Sequence, residues 1–262
     1  MSEAVTLTVQ DGLAHLTLNR PEAYNTLNKA LADALMAAAV RCAEGGDVRA
    51  VLLTAAGRNF CGGGDLKAFH AQGDGVGAHI REVTYNLHAA CAMFARMDAP
   101  LVIAAQGAVA GAGLSIALLG DLVYAAEGAF FTMAYTAAGL SPDGGSTFLL
   151  PRVVGLRRAQ EMALTNRRLT AAEAVDWGIA TATVPDGHLQ IHAAEIARKL
   201  ADGPSRAFGR AKRLLIDSFD TGFEAQMDRE GRYIAAAAGE PDGREGVDAF
   251  VNKRRPVFTG KA

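Results

Sequence analysis

The chain has 262 residues and a mass of 27.3 kDa, room for one large domain or one domain with a small appendage, and too little for two full domains. Half of its residues are hydrophobic and 21% are charged, and 26 Lys and Arg against 28 Asp and Glu leave a formal charge of -2. No global positive field exists to hold nucleic acid or an anionic membrane, so any anionic ligand must be held locally. Three cysteines, Cys42, Cys61 and Cys91, cannot make a complete disulfide set, and a core of this size needs no staple. With no basic stretch and apolar run after Met1, a cytoplasmic protein is expected.

In chain order, short strands are predicted over 5–9 and 15–19, a helix over 29–44 and a β-rich run over 48–54, giving a β-β-α-β opening. Ile80, Val83, Leu87, Cys91 and Phe94 recur three or four apart, the apolar stripe of a helix over 78–97 that ends before Pro100. Residues 101–105 read as a buried strand, 107–113 as a loop, 114–119 as a helix start and 122–126 as another strand. From about 157 the pattern is helical, over 157–165, 171–177, 187–201, 204–218, 223–238 and 241–252, with one β-like interruption at 179–184. The expectation is an α/β core with a helical C-terminal part, divided softly at Asp202-Gly-Pro into residues 1–202 and 203–262.

Between Leu101 and Gly120 only Gln106 and Ser115 are polar, a length that suits a membrane span. Much of that run is Gly and Ala, which insert weakly, and its nearest charged flanks are acidic, Asp98 and Asp121. Strand, glycine turn and helix N-terminus is the better reading, and such a turn exposes backbone N–H groups to negative charge. Gly111-Ala-Gly113 falls short of a dinucleotide fingerprint because Ile116 stands at the third glycine position. Close packing of helix on sheet is the bland account of the same glycines.

A second glycine cluster, Phe60-Cys-Gly-Gly-Gly-Asp65-Leu66, also sits where a strand gives way to a helix. Two such turns can present two convergent N–H groups, an oxyanion hole worth ~3–4 kcal/mol per donor to a developing enolate. Cys61 has no evident activating base, which favours packing over nucleophilic catalysis. A third turn, Gly139-Leu-Ser-Pro-Asp143-Gly-Gly145, lies between Phe130/Phe131 and Phe148-Leu-Leu. Its Asp143 is either an acid/base whose proton affinity is raised by apolar walls, or a turn residue capping the following helix.

The six histidines show no zinc-ligand spacing, so no metal is expected. His88 flanks the apolar stripe of its helix and either reaches a site or sits at a half-buried boundary. Lys253-Arg-Arg-Pro-Val-Phe258-Thr-Gly-Lys261 concentrates positive charge and reads as a solvated tail or a phosphate contact.

Four ordered motifs resemble the enoyl-CoA hydratase/isomerase (crotonase) family over essentially the whole chain: Leu18-Asn-Arg-Pro-Glu-Ala-Tyr-Asn-Thr-Leu-Asn28, Phe60 to Leu66, Gly107-Ala-Val-Ala-Gly-Ala-Gly113 with Asp121, and Leu150-Pro-Arg-Val-Val-Gly155. The resemblance implies a crotonase-like spiral of ββα repeats, C-terminal helices that build a homotrimer or a dimer of trimers, and acyl-CoA thioester substrates. It places Gly64 and Ala112 as the two amide donors, and runs coenzyme A past Ala23, Tyr24, Gly62, Asp65 and Leu66. Phe258 and Lys261 match the family's nucleotide contacts, commonly supplied by a neighbouring subunit. No cofactor is implied beyond the coenzyme A of the substrate.

The hydratases of the family use two glutamates, and those positions here read Ser115 and Tyr135. What remains is Asp143, where the ring-epoxide isomerases of phenylacetate breakdown carry their catalytic aspartate; the stretches 139–152 and 244–261 look most like that subgroup. The aryl-CoA dehalogenases are similar too, with an aspartate at Asp143 and a histidine at His88. Tyr135 is then either a wall of the acyl pocket or a hydrogen-bond donor to Asp143. An acyl-CoA isomerase is expected; an atypical hydratase, a dehalogenase and a non-catalytic acyl-CoA binder are the alternatives.

Overall fold

The computed structural model describes residues 3–260. Strands β1 (Val5–Gln10) and β2 (Leu13–Leu18) form a hairpin, and helix α1 (Lys29–Glu44) follows, its first turn capped by the Asn28 side chain accepting from the Leu31 N–H. Strand β3 (Ala50–Ala55) is buried along its full length. A short helix α2 (Leu66–His70) leads to the long α3 (Val76–Arg96), which starts two residues earlier than the apolar stripe predicts. Next come β4 (Leu101–Ala105), β5 (Ala108–Ala110), α4 (Ala112–Ala117), β6 (Leu122–Ala126) and β7 (Phe130–Thr132). Helices α5 (Ser146–Val154) and α6 (Leu156–Thr165), strand β8 (Leu169–Thr170), α7 (Ala171–Asp176) and β9 (Ala182–Val184) follow. Four helices finish the described chain: α8 (Leu189–Ala201), α9 (Ser205–Asp217), α10 (Phe223–Gly239) and α11 (Pro241–Val251).

Six strands make the larger sheet in the order β1-β2-β3-β4-β6-β9, antiparallel only between β1 and β2. Its register stacks Leu16, Leu53, Ile103 and Val123 across four strands, a continuous apolar row of the kind that parallel sheets buried on both faces require. A smaller sheet orders β5-β7-β8 and is extended by isolated bridges, Cys61 to Val109 and Leu27 to Gly64. Twice in succession the chain sends one strand to the large sheet and a short one to the small sheet before a helix, β4 and β5 before α4, then β6 and β7 before α5. That is the spiral of ββα repeats expected from the motifs.

Packing decides three stretches. The run 101–120 is no membrane span, because β4, β5 and α4 divide it, and no helix among the described residues is long and apolar enough to cross a membrane. The loop expected over 107–113 holds β5, and α4 starts at Ala112 rather than 114. Helix α5 runs through Pro151, whose missing N–H argues against a helix in sequence; the Gly155 N–H closes its end on the Pro151 carbonyl.

The turn at 202–204 separates α8, which lies on β3, β4 and β6, from α9, which packs on α3. Contact there is close: a Cβ on Gly209 would come within 2.1 Å of Asp98 Oδ1, and Lys212 pairs with Asp121 at 2.7 Å. Helix α10 buries no residue within the chain.

Candidate active site

The two glycine turns meet. The chain before the first is zipped to β5 by the Cys61 N–H donating to the Ala108 carbonyl at 3.1 Å and the Ala110 N–H to the Cys61 carbonyl at 3.0 Å. Only glycines allow the approach: a Cβ on Gly113 would lie 2.4 Å from the Cys61 carbonyl oxygen. One on Gly111, whose φ is +52°, would lie 3.3 Å from Gly63 Cα. Cys61 is therefore a packing residue at the seam; its thiol is fully buried and burial pushes it up to about 11, so it stays protonated at neutral pH.

Backbone pairing aims the amides. The Leu27 N–H donates to the Gly63 carbonyl at 2.7 Å and the Asp65 N–H to the Leu27 carbonyl at 2.9 Å. In such a parallel bridge the residue between, Gly64, turns its own N–H to the opposite side. Ala112 opens α4, where an N–H has no partner inside the helix. Neither amide finds an acceptor among the described residues, and both residues line one cavity of about 310 Å³.

That cavity is also walled by Leu66, Phe69, Ile80, Val83, Leu140 and Tyr135, and among the described residues the only carboxylate on it is Asp143. Asp143 does not cap α5 with its side chain: the Ser146 N–H and Oγ–H both donate to its backbone carbonyl, at 3.2 and 2.9 Å. The carboxylate is left to other partners. Tyr135 donates its hydroxyl to Asp143 Oδ1 at 2.6 Å, so it is both wall and donor. Burial, then the adjacent Asp143 charge, push the Tyr135 hydroxyl well above the ordinary phenol range and keep it a neutral donor.

Ser115, fully buried, stands 2.9 Å from Tyr135 Oη and donates to the Asp143 carbonyl at 3.0 Å. A Cβ on Gly144, whose φ is +62°, would come 2.8 Å from Ser115 Cβ, so glycine is what seats the Asp143 turn on α4. Ser115 is the participant the sequence reading passed over: only its position was noted, because a hydroxyl in an apolar run carries no signal of its partners.

The other expected residues divide. Gly62 lines the cavity and donates its N–H to the Tyr24 carbonyl at 3.0 Å, which ties the exposed Tyr24 and neighbouring Ala23 to that rim. Asp65 caps α2 by accepting from the Ala68 N–H and pairs with Arg20 at 3.1 Å. Asn25, buried within the first motif, donates its amide to the Ala56 and Asn59 carbonyls, both at 2.9 Å. His88 does not line the cavity; its Nε2 lies 3.4 Å from Asp143 Oδ2 on the far side, and half of its side chain is exposed. Phe258 packs near Gly246 of α11, away from the cavity of its own chain. Lys261 falls outside the described residues.

Residues 253–260 are mostly exposed to solvent and yet tied down. Asp242 accepts from the N–H groups of Thr259 at 2.7 Å and Gly260 at 2.8 Å, and Arg254 grips Glu245 and Asp248, each at 2.6 Å.

The pattern of the Enoyl-CoA hydratase/isomerase family matches residues 8–261. The chain is 40% identical over 253 residues, 97% of this chain and 96% of the other, to a Rhodobacter capsulatus protein named "Probable enoyl-CoA hydratase". It is 38% identical over 263 residues, all of both chains, to the 1,2-epoxyphenylacetyl-CoA isomerase of Escherichia coli. Among solved structures, an enoyl-CoA hydratase from Polaromonas sp. JS666 superposes with a TM-score of 0.92 at 29% identity, covering 97% of this chain and 99% of that one. With both glycine turns, the spiral fold and these relatives in agreement, the chain belongs to the enoyl-CoA hydratase/isomerase family.

Proposed function

We propose that the protein is an acyl-CoA thioester isomerase. The thioester carbonyl oxygen rests between the Gly64 and Ala112 amides, which stabilise the enolate by ~3–4 kcal/mol each as charge develops there. Asp143 takes a proton from an activated carbon and returns it to another, moving a double bond or helping a strained ring to open. This chemistry needs one base and no group beyond the coenzyme A of the substrate. Hydration would need a positioned water and, in this family's hydratases, a pair of glutamates.

The observation that carries the reading is the lone carboxylate on the cavity, with Ser115 and Tyr135, at the two hydratase glutamate positions, both bonded to Asp143. Tyr24, Gly62 and Leu66 frame the coenzyme's path, and Phe258 with Lys261 reaches the nucleotide of a neighbouring subunit in a trimer or a pair of trimers, within the cytoplasm. The test is turnover of 3-enoyl-CoA against hydration of crotonyl-CoA. Asp143→Asn is expected to lower isomerisation by about 10²–10⁴-fold while thioester affinity is kept. Rapid crotonyl-CoA hydration that survives the substitution would overturn the assignment.

A further inference from the structure

Asp143 has a second face. Oδ1 is taken by Tyr135, and Oδ2 looks away toward His88 Nε2 at 3.4 Å. The Gly144 N–H donates to that same Nε2 at 3.1 Å, so Nε2 carries a lone pair and the ring proton sits on Nδ1. Two acceptors therefore face each other across the 3.4 Å gap, with no proton between them. Behind His88 lies a separate cavity of about 360 Å³ that the proposed reaction does not use, lined by Cys91, Arg96, Gly144, Phe148 and Ile216 among others. Half of the His88 side chain is exposed, and Nδ1 has no partner among the described residues. Cys91 cannot compete for a proton there, since burial pushes its thiol up to about 12.

We propose that His88 is a proton outlet acting through Asp143, joining the acyl cavity to water through the second cavity. The inference rests on Asp143 being the base. When Asp143 has taken a proton from substrate carbon, its neutral carboxyl becomes a donor, the Gly144 N–H releases the single lone pair of Nε2, and the contact turns from acceptor against acceptor to O–H···N. The proton passes to Nε2, the Nδ1 proton leaves to water, and a solvent proton returns by the same route to re-form the carboxyl. That carboxyl then protonates the enolate at the second carbon. Nothing is consumed; a substrate hydrogen is exchanged for a solvent hydrogen. Without the outlet, the same hydrogen would be carried from one carbon to the other under the bound thioester.

The experiment is isomerisation of a 3-enoyl-CoA in D₂O, read by mass spectrometry as deuterium incorporated per turnover. This ratio does not depend on how much enzyme is active, so a merely structural loss would not move it. His88→Gln keeps an acceptor for the Gly144 N–H but carries no proton, and is expected to lower the ratio at least threefold. His88→Ala is expected to do the same, with added imidazole restoring exchange through the open cavity. Wild type that incorporates no deuterium, or variants with an unchanged ratio, would overturn the outlet. If Asp143→Asn still isomerises, the base assignment itself fails; if it is inactive while His88→Gln exchanges normally, only the outlet fails.

Discussion

A carboxylate proposed to move a proton must be held still without being neutralised, and two side chains hold Asp143. Tyr135 fixes Oδ1 at 2.6 Å and Ser115 fixes the main chain at 3.0 Å, while Ala134, just before Tyr135, takes a left-handed φ of +56°. Left-handed geometry at a residue bearing a Cβ costs about 1–2 kcal/mol and persists only where neighbours enforce it. A hydrogen bond to a charged group is worth ~1.5–3 kcal/mol, so Tyr135→Phe is expected to lower kcat about ten- to a hundredfold. KM should change little, because the hydroxyl serves the base and not the thioester. Steady-state rates across substrate concentration check this, and a kcat within twofold of wild type would refute it. Because the Tyr135 hydroxyl is held above the phenol range, wild type should lose no activity through its ionisation up to pH 10.

At the scale of elements, the site is made where short strands hand over to helices. β5 and β7 have three residues each, and the pairing at Cys61 is a single bridge. These are too short to be stable alone, yet they set where the Gly64 and Ala112 amides point. Where α4 meets the chain before the first glycine turn, a Cβ on Gly113 would lie 2.4 Å from the Cys61 carbonyl oxygen. Gly113→Ala forces Cys61 and α4 apart, and overpacking of this kind costs ~1–3 kcal/mol. The expected result is a lower Tm together with a loss of kcat larger than that of thioester affinity, measured by thermal unfolding and calorimetry. Wild-type kinetics in a folded Gly113→Ala protein would show that the amide positions tolerate the shift.

For the whole molecule, the C-terminal helices leave much apolar surface uncovered. Phe223 and Ile234 of α10 are each 72% exposed and Phe250 of α11 is 86% exposed. Large exposed apolar side chains on the C-terminal helices are what the proposed trimer would cover. The strap over 253–260 is pinned to α11 by Asp242 and Glu245. Deleting residues 253–262 is expected to weaken thioester binding about tenfold or more and to loosen the oligomer. Calorimetry with the thioester and sedimentation velocity check this; unchanged affinity would separate the strap from the coenzyme.

The long periodic elements were legible in the residues themselves, because α1, α3 and α8 bury one stripe each and the central strands bury both faces. The glycine clusters were legible too, since a turn that needs positive φ or backbone-to-backbone contact leaves a mark no other residue type makes. Asp143 stood open between cap and base, and His88 between site and boundary, because local pattern says nothing of what lies across a cavity. Only folding decides what each touches, by bringing Ser115, Tyr135 and His88 to one aspartate from α4, the turn after β7, and α3. β5, β7 and β8 escaped notice for a like reason: two or three residues carry no period, and their strand character comes from partners far along the chain.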